Sequence, residues 1–417
     1  MLIRLCALLL VVGLVSTIPA RADDLLLGDD FDGEIFFDDT AFTSADADAL
    51  LQQAPYQWQL KQGLVYNPKS LRQPTDSFTN MHLQAETTLG LTGFADVDIK
   101  ATQNWLTGEF DAEIDSATLQ TSTEQGAFKL GRYINSWGEV EGSGVLDIIN
   151  PASGLTDPDR GFKPQWLLGY SHYMGARELQ MLANMQPDVA QVPGMTASEE
   201  VSSEWGVRYK ITGSGSDWAV YAGQFMQNTP TLGVVGGLPV LTAYQYDLLG
   251  FSYNQASGDD LLKLDMAWKQ GLGQQVSSGL AKVKRLDMAV GAEINDGDRQ
   301  WALSLSGHYL PDHTTAYQTV VIDPSTLAPA LLSTSQSSIN YGLGVSDSFA
   351  NNELSWSLNV IGALNGSMRG LIAELTWDYT DDLSWRFLAA AIAAEAGTAY
   401  AALDGIQRIG VEMEYHF

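Results

Sequence analysis

The 417-residue chain contains one cysteine, Cys6. It lies in the opening MLIRLCALLLVVGLVSTIPARADD. Like a secretory signal peptide, this opening has a positive charge at Arg4, an apolar stretch at 5–15 and a small-x-small cleavage site at 20–22. Residues 1–22 are therefore predicted to be a signal peptide that is removed on export. The exported chain then has no cysteine, which excludes disulfides, thiolate catalysis and cysteine-ligated metals.

The sequence also lacks long apolar runs and is poor in basic residues. Beyond the N-terminus no stretch reaches the ~20 apolar residues that a membrane-spanning helix requires, although hydrophobic residues make up 45% of the chain. This excludes a helical membrane protein. Lys and Arg number 22 against 50 Asp and Glu, which gives a formal charge of −28. Because nucleic-acid binding requires a basic surface, we expect no nucleic-acid partner.

Motifs of known catalytic sites are missing as well. The sequence has neither a G-x-S-x-G nucleophile elbow nor an H-E-x-x-H zinc motif. Ser171 and His172 are adjacent, but neighbouring side chains on a strand point to opposite faces and cannot exchange a proton directly. We therefore expect no enzyme activity, no cofactor and no metal.

What the chain does contain is a recurrent alternation of apolar and polar residues. Across residues 262–269 one face carries Leu262, Leu264, Met266 and Trp268, and the other carries Lys263, Asp265, Ala267 and Lys269. Such two-faced segments are typical of β-strands with one apolar face. We predict strands at 56–67, 81–92, 94–106, 109–122, 127–138, 165–175, 177–187, 203–213, 216–227, 240–256, 260–271, 283–295, 298–311, 338–350, 352–365, 367–379, 382–395 and 406–417.

Three features favour a membrane barrel over a soluble sandwich. Many segments run about 10 to 13 residues, the length of a tilted membrane-spanning strand. Tryptophan and tyrosine cluster toward segment ends, as aromatic girdles do at the two lipid interfaces. The gaps alternate between short, such as 295–298, and long, such as 312–337 or 272–282. We predict an all-β fold at 51–417, a transmembrane antiparallel up-and-down β-barrel of 16 or 18 strands with short periplasmic turns and longer extracellular loops.

The chain ends in RIGVEMEYHF, with apolar side chains at alternate positions and a final aromatic ring. An open sheet edge in hydrocarbon would leave backbone groups unsatisfied, so we expect this strand to close the sheet against the first. At Val411, Met413, Tyr415 and Phe417 it resembles the last strand of Gram-negative outer-membrane barrels. The resemblance implies a place in the outer membrane, contact with its lipids and recognition of this strand by the barrel-assembly machinery.

A second, local resemblance lies in GRYINSWGEVEGSGVLDIINPAS. It is similar to a Gly-Arg, Trp-Gly-Glu, Ile-Asn-Pro pattern of a poorly characterised family of proteobacterial porin-like outer-membrane proteins. The matching residues are Gly131, Arg132, Trp137, Gly138, Glu139, Ile149, Asn150 and Pro151. The alternation here would place Arg132 on the lipid face, so we expect a β-bulge at Gly131 to restore the register.

The connection 139–164 is the third external loop by this count. We expect it either to fold inward and narrow the pore, or to cap the barrel from outside. The charged residues that we consider as lining the pore or constriction are Arg132, Glu139, Glu141, Arg208, Lys210, Arg285, Arg386 and Arg408. For each of them the alternative is an ion pair that only solvates the wall of a water-filled lumen.

The segment 23–50 has ten acids between Asp23 and Asp48 and no base. Clustered carboxylates suit calcium, but an EF-hand loop would need an aspartate where Gly28 stands and a glutamate where Asp39 stands. We expect instead a periplasmic extension that plugs the barrel or docks on a periplasmic partner.

The sequence predicts a porin or channel for passive diffusion of small solutes across the outer membrane. One alternative is an uptake or export channel for hydrophobic compounds that works with a periplasmic partner. The other is a non-conducting adhesin or structural barrel.

Overall fold

The computed structural model describes residues 56–68, 70–89, 92–151, 162–189, 197–199, 203–236, 238–322, 329–350, 352–398 and 400–417. The predicted signal peptide at 1–22 and acidic segment at 23–50 lie outside these ranges. In the described part of the chain, no helix is long and apolar enough to cross a membrane.

Nearly all regular structure in these ranges is β-strand. The strands are β1 Tyr56–Asn67, β2 Ser70–Leu89, β3 Gly93–Asn104, β4 Phe110–Thr123, β5 Gly126–Tyr133, β6 Gln165–Tyr173, β7 Arg177–Asn184, β8 Ala197–Glu199, β9 Glu204–Thr212, β10 Ser216–Met226, β11 Thr231–Val235, β12 Leu238–Ala243, β13 Gln245–Ser257, β14 Asp260–Val276, β15 Gly279–Asp296, β16 Arg299–Tyr309, β17 Tyr317–Ile322, β18 Pro329–Ser333, β19 Ser337–Phe349, β20 Leu354–Ala363, β21 Met368–Thr380, β22 Leu383–Ala394 and β23 Gln407–His416.

Eighteen of the strands in the described ranges form one closed antiparallel sheet. Each pairs with its neighbours along the chain, and β23 pairs with β1 from Gln59 opposite His416 to Tyr66 opposite Ile409. Every one of the predicted strands is present, which confirms the larger of the two predicted strand numbers. The remaining strands, β8, β11, β12, β17 and β18, lie in the long connections.

The outer face of the sheet is apolar and the inner face is polar, the reverse of the arrangement in a water-soluble protein. On β14, Leu262 and Trp268 are exposed on the outside, whereas Lys263, Asp265 and Lys269 are buried on the inside. Exposed leucine, valine, tryptophan and phenylalanine side chains surround the barrel in the same way. An apolar exterior of this extent fits hydrocarbon rather than water, so the fold is that of a transmembrane β-barrel.

The connections at the two ends of the barrel differ in length, as predicted. At one end, called here the turn end, β13 and β14 are joined by residues 258–259, and β15 and β16 by 297–298. At the other end, called the loop end, the connections include 134–164, 227–244, 310–336 and 395–406. With an even number of strands, β1 starts and β23 finishes at the turn end.

Residues 272–282 are not a long loop, and that prediction is wrong. The β14–β15 ladder continues from Leu272 opposite Val283 to Val276 opposite Gly279. The register shifts at Gly271, whose φ of 111° suits glycine. Because this shift changes which alternate positions face the lumen, the two-residue pattern ends in the sequence at this point although the strand continues.

The bulge predicted at Gly131 is also wrong. The β4–β5 ladder passes through Gly131, opposite Thr118, without a register shift. Gly131 has a φ of 146°, and a Cβ there would lie 2.0 Å from the carbonyl oxygen of Ala117, so close approach explains the glycine. The irregularity lies one strand earlier, where Asp115 is left over between the Asp98–Ser116 and Ile99–Ile114 pairs.

Candidate functional site

The β5–β6 connection enters the barrel, and its described residues 134–151 are called here the lumen loop. Its apolar side chains Trp137, Val140, Leu146 and Ile149 are almost fully buried. The indole of Trp137 packs on the rings of Tyr221 and Phe225 of β10, with centroids 5.4 and 5.8 Å apart. These contacts form the main apolar core of the molecule, and it lies on the inner face of the sheet.

Wall residues without side chains make room for the loop. A Cβ on Gly206 of β9 would lie 2.5 Å from the Trp137 ring, and one on Gly250 of β13 would lie 2.7 Å from Leu146. Real Cβ atoms do not approach other atoms so closely, so any larger residue would displace the loop. The wall is therefore shaped to receive these two loop side chains.

Asp147 holds the lumen loop in its own conformation. One carboxylate oxygen accepts hydrogen bonds from the backbone N–H groups of Trp137 and Gly138 at 2.9 and 2.8 Å. The same oxygen also accepts from the Ser136 hydroxyl. A charged acceptor for two backbone donors stabilises this turn more strongly than neutral hydrogen bonds would.

Asp265 of β14 fixes the loop to the wall. Its carboxylate accepts from the backbone N–H groups of Glu139 and Val140, each at 3.0 Å, and the residue is completely buried. On β10, the Tyr221 hydroxyl donates to the Trp137 carbonyl at 3.0 Å. Because these wall groups bond the loop backbone, they set the position of the loop irrespective of its side chains.

The glutamates of the loop pair with lysines of the same wall. Glu141 lies 3.2 Å from the Lys263 ammonium, which also contacts Glu293. Glu139 lies 3.8 Å from Lys210, and its other oxygen accepts from Asn254 at 3.3 Å. The loop thus covers the inner faces of β9, β10, β13 and β14. Each lysine there is shared with a second carboxylate, Lys263 with Glu293 and Lys210 with Asp217 at 3.3 Å.

A buried polar network supports the base of the loop. Gln165 of β6 donates to the Ile149 carbonyl at 2.9 Å and is bonded through its carbonyl oxygen to Asn184 of β7. Asn184 donates to Glu204 at 3.1 Å, and Glu204 accepts from the Met226 N–H at 2.8 Å. These three side chains are almost fully buried. Nothing in the local sequence singled them out.

No protein-family model and no curated protein matches the sequence. Solved structures do match the fold. OccAB4 of Acinetobacter baumannii aligns with a TM-score of 0.54 and 9% identity, over 88% of this chain and 99% of that one. OprD of Pseudomonas aeruginosa gives 0.54 and 9%, over 87% and 94%. OpdK of Pseudomonas aeruginosa, in a structure with vanillate, gives 0.54 and 8%, over 87% and 98%.

The chain has the fold of outer-membrane β-barrel porins. At 9% identity the similarity concerns the barrel fold. The roles of the lumen residues are therefore inferred from their own contacts.

Three of the residues considered for the constriction meet on the loop-covered wall of this porin fold. Glu139 pairs with Lys210 there, and Glu141 lies on the same wall beside Lys263. Arg208 pairs with Glu178 at 3.2 Å on the neighbouring strands. Arg285 lies 2.7 Å from Asp287, and Asp287 also forms an ion pair with Lys269 at 2.7 Å.

The other three candidates lie elsewhere. Arg132 does not join Glu139 and Glu141. It donates to the Ile114 carbonyl at 2.8 Å and lies 3.6 Å from Asp188. Arg386 forms two 2.6 Å bonds to Glu374, and Arg408 is exposed near the start of β23. The predicted grouping of Arg132 with the two glutamates is therefore not present.

A charged cavity of about 670 Å³ opens at the turn end of the barrel, on strands that the lumen loop does not cover. Its carboxylate lining comes from Glu353, Glu374, Asp378, Asp381, Glu412 and Glu414. The basic residues in the lining are Lys61, Arg386 and His416. Carboxylates therefore outnumber basic residues in the lining. One of the basic residues, Lys61, is already paired with Glu412 at 2.9 Å.

Proposed function

We propose that the protein is an outer-membrane channel through which small solutes diffuse passively, and that the lumen loop is its constriction. The observation that carries the proposal is the bonding of the loop backbone to Asp265 and Tyr221 on the inner wall. An 18-stranded barrel is wide enough for an aqueous channel unless something fills it. A loop fixed to one side narrows such a channel without closing it.

The exterior and the fold support the membrane assignment. Apolar side chains surround the barrel, and bacterial outer-membrane barrels have short turns at the periplasmic end and longer loops outside, which supports the same orientation here. OpdK has been solved with vanillate, a small organic molecule. A small polar or charged solute is the class that a lumen lined with charged side chains would admit.

We expect the channel to prefer cations. The lumen loop covers β9, β10, β13 and β14, and the cavity on the uncovered strands has more carboxylates than basic groups in its lining. In planar bilayers with a KCl gradient, the reversal potential should therefore have the sign of K⁺ selectivity. The variant Asp378→Asn/Asp381→Asn removes two lining carboxylates and should move the reversal potential toward zero.

The matched control is Glu124→Gln, which removes an exposed carboxylate in the β4–β5 turn. It should leave the reversal potential unchanged. A chloride-selective wild-type channel would contradict the charge argument, whereas no conductance at all would indicate a non-conducting barrel and contradict the proposed function itself.

The last strand closes the barrel, as expected for an outer-membrane protein that is assembled through its C-terminal strand. Its pairing with β1 closes the sheet, the Phe417 N–H donates to the Trp58 carbonyl at 2.9 Å, and the Phe417 and Tyr415 rings lie 4.7 Å apart. Recognition of this strand by the barrel-assembly machinery, and docking of the segment 23–50 on a periplasmic partner, stay predictions.

A further inference from the structure

Three potential metal ligands meet on the inner wall, away from the lumen loop. They are His82 of β2, Asp98 of β3 and Asp115 of β4. One ligand atom of each lies within 4.8 Å of the ligand atoms of the other two. All three side chains are half-buried, so they are held by the wall and still reach the lumen.

A β-bulge brings the third ligand to this face. Asp98 lies opposite Ser116 and Ile99 opposite Ile114, so Asp115 is the extra residue. Bulges re-aim side chains that a regular strand would place elsewhere, and they occur next to functional sites. Asp115 lies beside Ser116, the partner of Asp98, and the carboxylates of Asp98 and Asp115 come together.

The distance between His82 and Asp98 fits a shared ion better than a hydrogen bond. Nδ1 of His82 and Oδ1 of Asp98 are 3.6 Å apart, which is too long for a hydrogen bond. Two ligands that are each about 2.0–2.2 Å from one zinc ion at a near-tetrahedral angle are separated by about this distance. Within the described residues, this buried Asp98 oxygen has no hydrogen-bond partner.

We propose that His82, Asp98 and Asp115 bind a divalent transition-metal ion in the channel wall, with Zn²⁺ as the best match. One imidazole nitrogen and two carboxylate oxygens suit zinc, which accepts three protein ligands and leaves one position for lumen water. Ca²⁺ needs six to eight oxygen ligands and is a poorer match. Lys100 lies opposite His82 in the β2–β3 ladder, so the two carboxylates must also offset its charge.

The test is calorimetric titration of the detergent-solubilised full-length barrel with ZnCl₂. We expect one saturable site in the wild-type protein. His82→Ala and Asp98→Asn should each weaken binding at least about tenfold, since even second-shell changes cost 10–100-fold at metal sites. With Co²⁺ in place of Zn²⁺, the visible absorption of a four-coordinate ion should appear in the wild type and disappear in both variants.

The matched control is His416→Ala. His416 is also a lumen histidine beside a carboxylate, but it is 2.8 Å from Glu414, within hydrogen-bond distance. Its loss should leave zinc binding unchanged. Absence of saturable binding in the wild type would overturn the proposal, as would variants that bind as tightly as the wild type. Circular dichroism shows whether the variants remain folded, and their conductance without metal tests the channel separately.

Discussion

The Asp265→Ala variant should conduct more current per channel than the wild type and show larger open-channel noise. The substitution removes the acceptor for the Glu139 and Val140 N–H groups, which lie in a buried part of the lumen. Hydrogen bonds to a charged group contribute about 1.5–3 kcal/mol each. Once the acceptor is gone, these donors find partners only when the loop moves into water, so the loop leaves the wall more often. Single-channel recording in planar bilayers measures both effects.

A conservative variant separates loss of the acceptor from loss of the charge. Asp265→Asn removes the same charge as alanine but keeps a carbonyl oxygen that can accept, so its conductance should fall between those of the wild type and Asp265→Ala. Asp296→Ala, at the exposed end of β15, should behave like the wild type. Equal conductance in all four proteins would show that the loop is not the constriction.

The Trp137→Ala variant should disturb the packing of the lumen loop more than Asp265→Ala does. The indole is 2% exposed, packs between loop and wall, and donates from Nε1 to Gln180 at 2.7 Å. Truncating a buried tryptophan to alanine typically costs about 3–5 kcal/mol. Here that loss falls on the contact between loop and wall, because the sheet keeps its own hydrogen bonds. We expect a several-fold higher conductance with the β-sheet circular dichroism unchanged.

The control for this variant is Trp166→Ala. Trp166 of β6 is 53% exposed on the outer face and makes no contribution to the lumen core. Its loss should leave the conductance unchanged. If Trp137→Ala unfolded the barrel, the loop core would be part of the global fold, and if it conducted like the wild type, the loop would not limit the current.

The barrel itself could be predicted from the sequence because its signal is local. Each strand repeats the two-residue period, and hydrocarbon outside and water inside enforce that period over the whole strand length. The period at Leu262, Lys263 and Asp265 correctly indicated which side chains face outward. It failed where the register shifts, as at Gly271, since the pattern then changes phase without the strand ending.

The contacts of the lumen loop could not be predicted in the same way. Asp265 was recognised as a residue of the inner face, but its partners Glu139 and Val140 are more than a hundred positions away in the chain. The same applies to Gln165, Asn184 and Glu204, whose network is visible only once β6, β7 and β9 are adjacent. Charge and position alone also misplaced Arg132, which bonds a neighbouring strand instead of the loop glutamates.

The Asp115 bulge is an intermediate case. Asp111, Glu113 and Asp115 are acidic at alternate positions, and Ala117 and Leu119 continue the same series with apolar side chains. That change of phase inside one strand indicates an inserted residue. Which strand carries the bulge and which side chains it joins depend on the pairing with β3, which no single strand contains.

The closed sheet, with lipid outside and water inside, can be tested directly because the predicted mature chain has no cysteine. Thr376→Cys lies in the turn-end cavity, and Phe387→Cys lies on the outer face of the adjacent strand. In protein reconstituted into lipid vesicles, a water-soluble maleimide should label the first and spare the second, while a lipid-phase quencher should reach only a probe at the second. Equal labelling of both cysteines by the water-soluble reagent, or the reverse pattern, would contradict the account.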